Sequence, residues 1–152
     1  LIGRHVQGFN SILIGKAVME VPEHKDIVAL GFLSEQDKFD CISASELLVM
    51  PSPFESLSIV LFEAWHCNKA VLLNGKCEVL KGQCIRSNGG LWYTDYDEFR
   101  ECLQTLIQKP DIRKSLGESG KRFVERNYSW EKVEKKYLRC ISRLIKPAKS
   151  DH

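Results

Sequence analysis

Five short, largely apolar runs, most of them cut off by glycine or proline, constrain the fold of this chain more than any other feature. Ser11-Ile12-Leu13-Ile14 stops at Gly15, Ile27-Val28-Ala29-Leu30 at Gly31, Leu47-Leu48-Val49-Met50 at Pro51 and Ala70-Val71-Leu72-Leu73 at Asn74-Gly75, while Leu91-Trp92-Tyr93 follows Gly89-Gly90. Short uninterrupted apolar runs fit strands covered on both faces, hence a parallel sheet, and not the alternation of a half-exposed antiparallel one. Parallel strands need long crossovers, and helical segments lie between them. Ser34 is placed to cap a helix opening Glu35-Gln36-Asp37, with Asp37 at its third position, and Ile59 to Cys67 reads as another helix. After Tyr93 the pattern is helical to the end: about 97–108, stopping near Pro110, then 111–126 and 129–145, closed by Pro147. The predicted fold class is α/β, a Rossmann-like doubly wound parallel sheet with a helical C-terminal tail. No internal repeat, low-complexity run or long linker divides residues 1–152, so a single domain is expected.

The bulk properties narrow the function by exclusion. A chain of 152 residues can bury its own core without staples. Its net charge of +2 lacks the basic excess of a nucleic-acid binder, so no nucleic-acid partner is expected. No segment approaches the ~20 apolar residues of a membrane span. The start, Leu1-Ile2-Gly3-Arg4, has neither an initiator Met nor a charged leader followed by an apolar stretch, and the chain therefore reads as a fragment or excised domain. The six cysteines, Cys41, Cys67, Cys77, Cys84, Cys102 and Cys140, form no Cys-x-x-Cys pair and match no zinc spacing. They read as reduced structural thiols of a cytoplasmic protein, with a Cys77–Cys84 bridge across a shared loop as the alternative.

The segment that carries chemistry follows the third run. Pro51 and Pro53 end that strand, Glu55 falls in the loop after it, and Glu63 lies on the second turn of the next helix, with Ser56 as the expected N-cap. A strand, a kinked loop and a helix start is the arrangement with which α/β proteins hold phosphates, because the first helical amides are unpaired and carry positive potential. Eight helical residues advance about 12 Å and return to within roughly 80° of the starting face. That spacing suits the two ends of one elongated ligand and does not suit a carboxylate pair sharing a proton.

The run Pro51-Ser52-Pro53-Phe54-Glu55-Ser56-Leu57-Ser58, continuing to Glu63-Ala64-Trp65, closely resembles the E-x7-E signature of retaining group 1 glycosyltransferases with the GT-B fold. Other segments resemble that family in its own order: Leu30-Gly31-Phe32-Leu33-Ser34-Glu35, Asn68-Lys69-Ala70-Val71-Leu72, Asn88-Gly89-Gly90-Leu91, Leu116-Gly117-Glu118-Ser119-Gly120, and Tyr128-Ser129-Trp130 opening the last helix. The likeness covers about Ser11 to Ile145 and is confined to the family's C-terminal, donor-binding domain.

By that resemblance Glu55 meets the donor sugar at the reaction centre and is the catalytic candidate. The backbone amides of Ser56, Leu57, Ser58, Ile59 and Val60 face the sugar and diphosphate, Glu63 accepts from the ribose hydroxyls, and Leu33 presents backbone groups to the base. The implied co-substrate is a nucleotide-diphosphate sugar, with no cofactor and no metal, and the implied product a polysaccharide or glycolipid. The family clamps the diphosphate with an Arg and a Lys five residues apart. Here Gly3-Arg4 resembles the start of that motif, but the position five on is Phe9. The acceptor domain is the implied partner, and without it the fragment is expected to be inactive. A stand-alone, non-catalytic nucleotide or nucleotide-sugar module is the alternative; a flavodoxin-like regulatory domain would need an acidic pocket with a phosphorylatable Asp, which is not found. The last helix carries Val133, Tyr137, Leu138, Ile141, Leu144 and Ile145 at helical spacing within a basic run. This gives a face for the other domain or for peripheral contact with the inner surface of a membrane. Oligomeric state, base and sugar are not legible.

Overall fold

A computed structural model describes residues 10–16 and 20–145. The elements run β1 (Ser11–Ile14), β2 (Ile27–Gly31), α1 (Glu35–Ala44), β3 (Leu47–Met50), α2 (Ile59–His66), β4 (Ala70–Asn74), α3 (Glu78–Ser87), β5 (Gly90–Tyr93), α4 (Tyr96–Gln108), α5 (Pro110–Asn127) and α6 (Trp130–Ile145). All strand pairings are parallel. The α/β class is as expected. The strands divide between two sheets: β1 and β2 form one, and β3-β4-β5 form a second. Among the described residues no ladder joins the two sheets.

This split decides which apolar runs are buried. The central strand β4 is buried along its whole length. On one face Val71 and Leu73 pack with Leu61, Phe62 and Trp65 of α2 and Leu80 and Cys84 of α3. On the other, Ala70 and Leu72 pack with Tyr93 and with Leu103 and Leu106 of α4. The two-residue alternation of a strand thus feeds two cores from one run. By contrast Ile12, Ile14, Val28 and Leu30 are exposed, because β1 and β2 are neighbours only of each other within the sheet. The reading that all five runs are covered on both faces fails for these two.

Helix α5 closes the second sheet through its glycines. A Cβ on Gly117 would sit 2.0 Å from the Asn68 carbonyl oxygen, and one on Gly120 would sit 2.1 Å from Trp65 Cδ1. Only glycine lets α5 approach α2 this closely. Trp65, fully buried, donates its indole N–H to Gly89 O at 3.0 Å and meets Phe123 edge-on at 5.9 Å. Helix α2 ends in a Schellman closure: Asn68, at φ +58°, sends its N–H to Trp65 O, and Lys69 sends its N–H to Ala64 O.

One further expectation changes. Residues 78–87 form α3, so Cys84 is helical and Cys77 precedes it as the cap; they share no loop, and both are free and buried. Trp92 does not join the aromatic packing on α4. It points to the other face of β5, where Lys81 of α3 sits 4.4 Å from its ring centroid, whereas Tyr93 meets Phe99 at 5.0 Å.

The cysteines yield a direct expectation. Burial pushes the Cys84 thiol up to about 12, with Cys102 adding to it, whereas Cys140 is exposed on α6. Alkylation at neutral pH, followed by peptide mass spectrometry, should mark Cys140 first and leave Cys84 unmodified until the chain is denatured. The phenol of Tyr93 is likewise raised by burial to about 12. Both groups hold their protons in the folded state where the unfolded chain releases them. Stability should therefore be full below about pH 9 and fall as the pH climbs toward 12, readable from thermal unfolding midpoints.

Candidate functional site

The loop between β3 and α2 is held at the carboxyl edge of the second sheet by its neighbour strand. Asn74, the last residue of β4, is buried; its side-chain amide donates to Pro51 O at 2.9 Å while its carbonyl oxygen accepts from Lys76 N at 3.0 Å. The start of the loop is thereby fixed against β4, and residues 51–58 run from there to the helix.

At the far end of the loop stands Ser58, which caps α2 with φ +61° and ψ +81°. A serine in the left-handed region costs about 1–2 kcal/mol, and such strain persists where the surroundings impose it. The hydroxyl of Ser58 makes no capping bond and is buried without a partner. Ser56, the expected cap, lies two residues upstream and is exposed. The cap therefore shifts from Ser56 to Ser58 because the left-handed turn at Ser58 delays the helix to Ile59. Leu61 N bonds back to Ser58 O at 3.2 Å, but no described group accepts from the amides of Ile59 and Val60. Helix α2 thus presents open amides at its positive end.

One turn further along, Glu63 is anchored. Its Oε1 accepts from Lys38 Nζ of α1 at 2.8 Å, and Lys38 also reaches Glu35 at 2.9 Å. Only 13% of the Glu63 side chain is exposed. The second oxygen, Oε2, is buried with no partner among the described residues. Hydrogen bonds to Glu63 first, then to Glu35, hold the Lys38 ammonium above its usual pKa. Lys38 was not legible as a site residue, since its partner lies on another helix and only the packing of α1 on α2 brings them together.

The remaining candidates lie where their chain positions put them. Glu55 is half-buried in the loop and makes no hydrogen bond or ion pair with a described residue. Leu57 and Ile59 are exposed, and Val60 is half-buried. Leu33 is half-buried between Gly31, at φ +68°, and Ser34. Ser34 caps α1 as expected: its hydroxyl oxygen accepts from Asp37 N at 3.1 Å and its proton goes to Asp37 Oδ2 at 2.6 Å. The Lys38–Glu63 pair ties the start of α1 to the start of α2, which brings the turn after β2 and the loop after β3 to one region. Gly3-Arg4 and Phe9, the positions compared with the diphosphate clamp, lie outside the described residues.

Comparison with known proteins gives the family and the fold. The family model described as glycosyl transferases group 1 matches residues 21–123. An uncharacterized glycosyltransferase of Methanocaldococcus jannaschii is 31% identical over 94 residues, covering 59% of this chain and 23% of that protein. The GDP-mannose-dependent monoacylated alpha-(1-6)-phosphatidylinositol monomannoside mannosyltransferase of Corynebacterium glutamicum is 26% identical over 114 residues, covering 70% of this chain and 30% of that protein. Among solved structures, sucrose-phosphate synthase from Thermosynechococcus elongatus superposes with a TM-score of 0.70 at 21% identity, over 78% of this chain and 30% of its own. The chain thus spans about a quarter to a third of the length of the proteins it matches. Its fold is that of half of a GT-B glycosyltransferase, and with two thirds of its length matched by one family model, the chain belongs to the group 1 glycosyl transferases.

Proposed function

We propose that this chain is the donor-binding domain of a retaining glycosyltransferase that takes a nucleotide-diphosphate sugar. The observation that carries the reading is the open end of α2, where a strained, uncapped Ser58 and two unclaimed amides stand one turn from a carboxylate with a buried, unpartnered oxygen. Buried polar atoms are ordinarily paired, so two orphans within six residues of one segment call for a ligand with both anionic and hydroxyl groups.

A nucleoside diphosphate has both. Its phosphates would take the amides of Ile59 and Val60, where the helix end stabilises negative charge as the sugar–phosphate bond breaks. Glu63 would accept from the ribose hydroxyls chiefly through Oε2, since Lys38 already occupies Oε1. Glu55, in the loop ahead of the helix, would lie against the transferred sugar, the backbone of Ser56 and Leu57 beside it, and the backbone of Leu33 against the base. The diphosphate charge is met by helix amides, so the reading requires no metal. Nor does it use two carboxylates flanking one bond, the arrangement of glycoside hydrolysis.

The acceptor would be bound by a second domain, and residues 1–152 would be the donor half alone. The last helix supports this division. No residue of α6 is buried, and Trp130, Tyr137, Leu138, Leu144 and Ile145 are exposed along it. Such a stripe is what a partner domain covers. No helix among the described residues is long and apolar enough to cross a membrane.

The test is a thermal-shift titration with UDP, GDP and ADP. At a hundred times its Kd, the matching nucleotide should stabilise the fold by about 2.7 kcal/mol. No shift with any of the three at millimolar concentration would overturn the assignment.

A further inference from the structure

The molecule carries a second cleft, far from the open end of α2. It has a volume of about 500 Å³ and lies between the end of α3, the turn into β5 and the outer face of α5. Because β5 begins at Gly90, immediately after this turn, the cleft sits at the amino edge of the second sheet, opposite the edge where α2 starts. Three arginines line it: Arg86 from the last turn of α3, and Arg122 and Arg126, one turn apart on α5. Ser87, Asn88, Ser119 and Asn127 complete the polar lining, and no acidic residue takes part.

The charges there are compensated only at Arg122, and weakly. Among the described residues neither Arg86 nor Arg126 has a carboxylate partner. Arg122 reaches Glu118 only at 4.0 Å and donates to Ser119 Oγ at 2.9 Å. Arginines four apart on one helix repel one another, and Arg86, whose guanidinium lies back along α3 beside Gly82, borders the same cavity. Each of the three lies near a helix C-terminus or on a helix surface, where a single basic residue is unremarkable, but these roles do not require all three to border one cavity. The frame beneath them is rigid. A Cβ on Gly89 would fall 2.4 Å from Trp65 Nε1 and one on Gly120 2.1 Å from Trp65 Cδ1, so the turn and α5 are locked on the same indole. The arginines therefore spring from fixed backbones.

We infer that this cleft binds a phosphate-bearing anion with at least two phosphoryl charges, at a site separate from the donor site. Guanidinium groups meet phosphate oxygens in paired, charge-assisted hydrogen bonds, and three of them around one cavity match a polyphosphate or bisphosphate group. The volume is in the range of small-ligand sites, and apart from Phe123 the lining is polar, which suits a charged ligand. Asn88, held at φ +49°, and the Ser119 hydroxyl supply further donors at the rim. Free phosphorylated metabolites and phospholipid headgroups both carry this chemistry.

Residue-resolved NMR with inorganic pyrophosphate tests the inference. Saturable shifts are expected at Asn88, Ser119 and the arginine side chains, weakening as salt is raised. The double variant Arg86→Gln/Arg126→Gln should weaken this binding about tenfold or more, while Glu63→Ala leaves it unchanged. Both arginines are exposed, so circular dichroism should show the variant folded. A parallel arm uses vesicles of phosphatidylcholine, with or without an inositol bisphosphate lipid. Co-sedimentation that needs the anionic lipid and is lost in the double variant assigns the site to a headgroup. Pyrophosphate binding without it assigns the site to a soluble ligand. Absence of both, or binding that the double variant leaves intact, overturns the inference.

Discussion

Truncating Trp65 to alanine should lower the unfolding free energy by about 3–5 kcal/mol, the largest stability loss expected from any one position. The indole is wholly buried, lies 6.0 Å from the tilted Phe62 ring, meets Phe123 edge-on at 5.9 Å, and bonds to Gly89 O. It is also the surface against which Gly89 and Gly120 are fitted, so its loss leaves a cavity bounded by two backbones that cannot collapse into it without moving α5. The complementary change, Gly120→Val, adds volume where a Cβ would already overlap Cδ1 of the indole, and overpacking of this kind costs about 1–3 kcal/mol or more. Denaturant unfolding of both variants checks the account. Near-wild-type midpoints would mean that α5 is not seated on Trp65.

Replacing Glu63 by alanine should weaken nucleoside diphosphate binding by about 10²-fold or more. A carboxylate accepting from ribose hydroxyls makes hydrogen bonds of about 1.5–3 kcal/mol each, and two of them exceed a hundredfold in affinity. Calorimetry with the matching nucleotide reads the loss directly. Lys38→Met separates the two functions of the carboxylate. It removes the clamp on Oε1 without touching Oε2, so affinity should fall less than in Glu63→Ala, and the residual binding should survive. Equal losses in the two variants would show that Glu63 acts only through its ion pair.

The sequence and the structure agree most closely where a local rule decides. The run Ala70–Leu73 is a buried strand because it is apolar, short and bounded by Asn74-Gly75, and Ser34 caps α1 because a serine three residues before an aspartate is a local capping arrangement. Asn68 occupies the left-handed position that ends α2, a place where glycine or asparagine is the local choice. Legibility fails where long-range packing decides. The apolar runs of β1 and β2 resemble that of β4, yet only β4 has a strand on each side and helices on both faces. Helix α3 was hidden because Gly82 interrupts its pattern and a glycine-bearing turn precedes it. The role of Asn74 as a brace for Pro51 was likewise hidden, because it depends on a contact between two strand ends. In the site itself, the positions of the two glutamates on loop and helix follow from local pattern. The strained Ser58 cap and the Lys38 anchor do not, because one depends on the path of a loop and the other on a contact spanning 25 residues.

The most direct test is the amide spectrum of the chain titrated with UDP, GDP and ADP. With the matching nucleotide, the N–H signals of Ser58, Ile59 and Val60 should move in a saturable way together with those flanking Glu63 and Leu33. Titration that leaves the start of α2 unperturbed, or that shifts only residues at the opposite edge of the sheet, would contradict the assignment of this helix end to the diphosphate.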